Sequence, residues 1–326
     1  MELRKVYEMG RGTLLVSLPK EWVKRYGLKK GDQISVEISE GGSITVSPLE
    51  LSKEPREAII NYPLNSDYLA NLLVAYYLSG YDTIKIAGKK RIEYTHRNTI
   101  KKVLDQLIGL EILEEDSYSI TLQFLPDPSY LNPDKIFRRM NLIVQAMYKD
   151  AIVSTLEGDY DTTKSIIERD DEVDKLYFLL IRIVRSALME PKIARKFGLR
   201  LIDCLDFRVG AKLFEGMGDA SCELAEKIQR IEGKRLKENK ELLLKLANKF
   251  SEIQNNLIDS FLKRSEEERF IPFPLELRED IERLKRNLLK DEMNLDCISF
   301  VSSIERIFKL LIDLADLSVP LYPLIK

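Results

Sequence analysis

The sequence predicts a multidomain, mostly α chain. A β-rich N-terminal domain spans residues 1–50, a small α+β middle domain 51–128, and a helical bundle 129–326. Three observations carry this. Apolar positions alternate with a period of two up to Pro48, mix two periods to about Pro126, and from Asn132 onward follow helical spacing alone. A chain of 326 residues is long enough for two or three cores. "PDPSYLNP", with three prolines in residues 126–133, marks a boundary between the second region and the third.

In the first region, Val6 and the run Leu14, Val16, Leu18 alternate, as do Ile34, Val36, Ile38 and then Ile44, Val46. Such alternation predicts strands. Between them, Pro19 to Gly27 predicts one or two helical turns, with Pro at the start and Gly where a helix end turns left-handed. Gly31-Asp32 and Gly41-Gly42 are turn dipeptides. About fifty residues without a cysteine cannot complete a core, so the expected partner is a second copy of the chain.

In the second region, "EAIINYPL" predicts a strand, "SDYLANLLVAYYLSG" a helix ended by Gly80, and "DTIKIAG" a strand. "EYTHRNTIKKVLDQLIG" follows as a helix, then "LEILEE" and "SITLQFL" as closing strands. This βαβαββ order is that of a small α+β sandwich. Beyond it, helical patterns cover roughly 132–158, 160–190, 198–231, 234–265, 275–292 and 295–318. Six helices in two sets of three suggest a duplicated unit, with repeats at about 132–232 and 233–320.

The net charge is only −2, yet it is unevenly placed. Residues 1–31 hold eight cations (Arg4, Lys5, Arg11, Lys20, Lys24, Arg25, Lys29, Lys30) against three acids (Glu2, Glu8, Glu21). That excess is an electrostatic footprint for a polyanion, although a charge run equally marks a wet face. The three cysteines are too far apart for a disulfide framework or thiolate metal site. No apolar region follows Arg4 and Lys5, and no stretch reaches the ~18 apolar residues of a membrane span. The expectation is a cytoplasmic protein with no direct membrane insertion.

"YEMGRGTLLVSLPKEWVKRYGLKKGDQISVEI" resembles the AbrB/MazE type of swapped-hairpin DNA-binding domain over roughly residues 3–48. A basic first strand, a Gly, an apolar strand ending in Leu-Pro-Lys, a short helix, and Gly-Leu-x-x-Gly-Asp before another strand are all present. The resemblance implies a homodimer contacting DNA through Arg4, Lys5 and Arg11. Charge alone adds Lys20, Lys24 and Arg25 as phosphate-backbone candidates.

Carboxylates interrupt the helical half. Steps of three and four from Asp170 reach Asp174, Tyr177, Ile181, Val184 and Leu188, so two acids continue an apolar stripe. Ionised there, they repel each other and are costly to desolvate; in a first helical turn they would simply be solvated. Glu215 and Asp219 share a face in the next helix, beside Ala211, Gly218 and Cys222 and away from an expected core stripe of Ile202, Leu205, Val209, Leu213 and Ala220. "DDEVD" and "FEGMGD" resemble the paired acidic motifs of the PhoU family, a duplicated three-helix bundle of phosphate-signalling regulators. That resemblance, over residues 132–320, implies a metal site at Asp170, Asp174, Glu215 and Asp219. All-oxygen ligation suits Mg²⁺, Mn²⁺, Ca²⁺ or iron better than a thiolate-type Zn²⁺ site. The second repeat departs from the pattern: Arg278 faces Glu282, and Lys309 stands four residues after Glu305 at the motif's Asp.

Enzyme readings find no support. A di-iron bundle needs Glu-x-x-His, and the single histidine, His96, lies outside the helical region. "IAGKKR" at residues 86–91 lacks phosphate-loop spacing. Together the resemblances imply a phosphate-responsive transcriptional regulator that binds DNA as a dimer. The other expectation is a signalling adaptor that docks on a phosphate transporter ATPase or sensor kinase, its first domain serving only for dimerisation.

Overall fold

A computed structural model describes residues 2–10, 12–38, 42–48, 55–226, 233–263, 275–289 and 295–317. The chain divides into two compact units, Met1–Glu54 and Pro55–Lys326.

In the first unit, β1 (Val6–Met9) and β2 (Thr13–Val16) form an antiparallel hairpin with Val6 opposite Val16. A second hairpin joins β3 (Ile34–Ile38) to β4 (Ile44–Pro48). The short helix α1 (Lys20–Arg25) buries no residue and is followed by Gly27 at φ 62°, the left-handed turn its sequence predicts. Every residue of β1 and β2 is exposed. Val6, Leu14 and Ile38 leave 59%, 68% and 78% of their surface open. Among the described residues, one copy thus has strands but no closed core. Arg11 and Gly41 lie outside the described residues.

The second unit begins with a four-stranded sheet in the order β5 (Glu57–Tyr62), β6 (Thr83–Gly88), β8 (Ser119–Phe124), β7 (Leu110–Glu115). The pair β5–β6 is parallel, as the crossover through α2 (Ser66–Leu78) requires, and the other pairs are antiparallel. With α3 (Tyr94–Leu104), α2 supplies the apolar partners of Ile60, Ile84, Ile86, Ile120 and Leu122, all buried. Gly88 pairs with Tyr62 so closely that a Cβ there would lie 2.1 Å from the Tyr62 carbonyl oxygen. That neighbour is backbone and cannot swing aside. Gly88→Ala is therefore expected to cost about 2–3 kcal/mol, read from urea unfolding of the full chain.

The helices are α4 (Pro133–Glu157), α5 (Tyr160–Met189), α6 (Pro191–Lys196), α7 (Leu201–Glu226), α8 (Gly233–Glu238), α9 (Lys240–Lys263), α10 (Leu275–Leu288) and α11 (Leu295–Asp316). Their ends follow local chemistry. Asn132 and Asp159 accept N–H groups from the first turns of α4 and α5, and Gly158 at φ 73° closes α4.

The structure corrects the sequence expectation in three places. Pro191 starts the separate short helix α6. The helix expected at 234–265 is divided at Asn239, a residue type that caps α9. On α7 the buried face is Cys204, Phe207, Ala211, Phe214, Met217 and Leu224, while Leu205 and Val209, expected inside, are exposed. The reason is that α7 packs against α4, α5 and α11. A helix apolar around most of its circumference does not reveal from its period alone which stripe those neighbours take.

The sheet module and the bundle share a core, since Leu179 and Ile183 of α5 pack among the module's apolar residues. Among the described residues, no helix is long and apolar enough to cross a membrane.

Candidate functional site

The helices α5 and α7 run side by side in opposite directions, because Cys222 approaches Ile166 whereas Arg208 and Lys212 approach Tyr177. This brings together the four carboxylates that the sequence separates by more than forty residues. Asp170 lies eleven residues after the N-cap Asp159, so the solvated first-turn reading does not apply to it. It meets α7 at Gly218, where a Cβ would stand 2.5 Å from Asp170 Oδ1. A glycine is what allows the carboxylate to sit against the helix. Asp170 Oδ1 is buried and, among the described residues, meets no N–H or O–H donor; the Cys222 thiol is the polar group beside this carboxyl.

Burial, followed by the negative charge of Asp174 and Asp219, pushes the Asp170 carboxyl up to about 6. Burial, then Glu215 and Asp219, moves Asp174 to about 6 as well. The adjacent Cys222 thiol is pushed up to about 12 by burial and by Asp170, which keeps it protonated and unreactive.

Two cations that the sequence reading did not assign to this site hold its other half. Lys212 Nζ donates to both oxygens of Glu215. From α11, Arg306 donates to Asp219 at 3.2 Å and to Glu223 at 2.7 Å. Neither Asp170 nor Asp174 forms an ion pair with a described residue.

The donor set suits a hard cation: all oxygen, strongly negative, with one orphaned oxygen. Its members are not converged into a ligand sphere. Among the described residues, no group of three or more His, Cys, Asp or Glu side chains is disposed to hold a metal ion. Lys212 and Arg306 already neutralise two of the four carboxylates. In the second repeat the acidic position is held by a Lys285–Glu305 pair at 3.0 Å, with Lys309, Asp313 and Asp316 exposed.

In the first unit, Arg4 is drawn inward. It donates to Ser17 O and Oγ and to Leu18 O, and pairs with Glu2, so it ties the chain before β1 to the end of β2. Lys5, Lys20, Lys24 and Arg25 are exposed and form no ion pair with a described residue. Arg25 lies over the Tyr26 ring, which itself meets Trp22 edge-on.

The described residues thus present a small hairpin module with an unfinished apolar face and a helical bundle with an acidic seam. Two known families match parts of the chain. Residues 10–54 match the MazE antitoxin family, described as antidote-toxin recognition, and residues 137–228 match the PhoU domain family. The chain joins a MazE/AbrB-type domain to a PhoU domain, and both families are regulatory. No curated protein and no solved structure matches the chain.

Proposed function

We propose that this chain is a phosphate-responsive transcriptional regulator, dimeric through its N-terminal hairpins and bound to duplex DNA by their cations. The observation that supports this is the exposure of Val6, Leu14, Val16 and Ile38 on strands that lack a partner layer in one copy. A second copy would cover those side chains and double the set Lys5, Lys20, Lys24 and Arg25 across a two-fold axis, a spacing duplex DNA rewards. Arg4 holds the hairpin's shape more than it offers charge. Arg11, which the resemblance implies as a DNA contact, completes the proposed set.

A salt titration of DNA binding tests the proposal. The Lys5→Ala/Lys24→Ala/Arg25→Ala variant is expected to remain dimeric by light scattering and to lower the slope of log affinity against log salt by about one per cation removed. Monomeric wild-type protein, or wild-type and variant slopes that coincide, would refute it.

The acidic seam is the proposed regulatory site. Asp170 and Asp174, joined by Glu215 and Asp219 once Lys212 and Arg306 release them, would hold a hard cation such as Mg²⁺, Mn²⁺, Ca²⁺ or iron, with Zn²⁺ the poorer fit. When bound, the ion supplies positive charge against which these carboxylates stay ionised. Mn²⁺ is expected to raise the melting temperature of the wild type and not of Asp170→Asn/Asp174→Asn. Equal shifts would remove the seam from the proposal.

The adaptor reading draws support from Leu201, Leu205 and Val209, an exposed apolar stripe on α7 beside Arg208 and Lys212. Its proposed occupant is the phosphate transporter ATPase or sensor kinase. Pull-down with Leu205→Glu against wild type tells the two readings apart.

A further inference from the structure

We infer that the loop between β6 and α3, with the outer face of α3, is a second surface for the nucleic-acid backbone, in a module that neither matched family covers. The inference rests on the reading that this chain binds DNA, and it adds a contact remote in sequence from the N-terminal cations.

Residues 85–102 carry seven Lys or Arg and one acid, Glu93. Two of the seven have other roles. Arg97 pairs with Glu115 and donates to the Asp116 carbonyl. Lys85 lies on the sheet face opposite the buried Ile84 and Ile86. The remaining five, Lys89, Lys90, Arg91, Lys101 and Lys102, are all exposed, and none forms an ion pair with a described residue. Exposed cations without a carboxylate also occur in the bundle, Lys135, Lys164, Lys240 and Lys309 among them; what sets these five apart is that they lie within fourteen residues with a single acid between them.

The loop is also held in place. Its two ends are anchored by Gly88 N–H donating to Tyr118 O and Ile92 N–H donating to Ser117 O, and the Ile92 side chain is buried. The Glu93 amide donates to the Tyr62 hydroxyl, which also contacts His96. Lys89, Lys90 and Arg91 are therefore presented from a fixed turn beyond the carboxyl end of a parallel strand, where open sheets bind ligands. Glu93, the N-cap of α3, makes no side-chain cap hydrogen bond.

Along α3, Tyr94, Asn98, Lys101 and Lys102 fall within an arc of about 100° and extend over roughly 12 Å of helix. Tyr94 is 77% exposed. Cations, a phenol and an amide along such a length are the groups that contact phosphate and sugar. An anionic membrane fits less well. Between Lys89 and Lys102 the isoleucines Ile92 and Ile100 are buried, which leaves no apolar side chain except the Tyr94 ring to insert.

The test uses the full chain and a non-specific 30-base-pair duplex, comparing Lys89→Ala/Lys90→Ala/Arg91→Ala and Lys101→Ala/Lys102→Ala with the N-terminal triple variant. Each middle-module variant is expected to lower the salt slope by about one per cation, equally for every duplex sequence, with unfolding unchanged because the residues are exposed. Wild-type slopes in both middle-module variants would overturn this surface while leaving the N-terminal reading intact. A change confined to the middle-module variants would uphold it and overturn the N-terminal reading. Variants that lose binding to phosphatidylglycerol vesicles but keep the duplex slope would also overturn it, in favour of a membrane.

Discussion

Replacing Arg182 by alanine is expected to lower the unfolding free energy by about 3–5 kcal/mol, the range for removing one partner from a buried charged contact. Arg182 is completely buried in α5. Its guanidinium donates to the carbonyls of Tyr77 at 2.6 Å and Tyr81 at 2.8 Å, at and just past the C-terminal end of α2, where the helix dipole is negative. It lies 3.8 Å over the Phe124 ring and 5.0 Å over that of Tyr77, with Asp82 3.9 Å away. Burial draws its basicity down to about 10, which still leaves it charged at neutral pH. Deletion would remove the Arg182 donor from the Tyr81 carbonyl, leave the Tyr77 carbonyl with the Gly80 N–H alone, and open a cavity at the joint between sheet module and bundle. Arg182→Met, which refills the volume but offers no donor, is expected to lose less than alanine. Urea unfolding followed by near-ultraviolet circular dichroism reads both. A loss below about 1 kcal/mol for alanine would mean that the joint does not depend on this residue.

The double substitution Asp170→Asn/Asp174→Asn is expected to stabilise chelator-treated protein by about 1–2 kcal/mol per residue at pH 7.5, once the two-unit elevation is discounted for partial exposure. Both carboxyls titrate near 6 when folded, raised by burial and by each other's neighbours. An unfolded aspartate titrates near 3.9. The folded state therefore holds the protons more tightly. Wild-type stability is highest below pH ~4, falls as pH rises from about 4 to 6, and is flat above that as far as these groups are concerned. The advantage of the variant should be full at pH 7.5 and vanish near pH 4, checked by thermal melts across that range. A pH-independent difference would mean that the gain comes from something other than charge.

Much of this architecture is legible in the sequence, because it depends on near neighbours along the chain. Period-two alternation marked the hairpins, the βαβαββ order appeared as read, and Gly27, Asn132 and Gly158 ended or began helices as their backbone chemistry requires. The carboxylate pairs were legible for the same reason, being four residues apart on single helices. The signal for Arg182 was also present, an arginine inside "YFLLIRIV", though nothing in the sequence names its partners. The α7 stripe was misread because three neighbouring helices, not the helix's own period, choose which face is buried.

The sequence by itself determined the element types, the acidic helix faces and the basic stretches, since each depends on spacing within one segment. Only tertiary structure decided that Arg182 reaches carbonyls 105 and 101 residues away, and that Arg306 closes on Asp219 across 87. It also decided that Lys89, Lys90 and Arg91 find no carboxylate among the described residues, while Arg138, Lys249 and Arg306 do. The physical reason is that charge and burial act through space. A side chain's pKa, partner and exposure follow from which distant surfaces packing brings within a few ångströms.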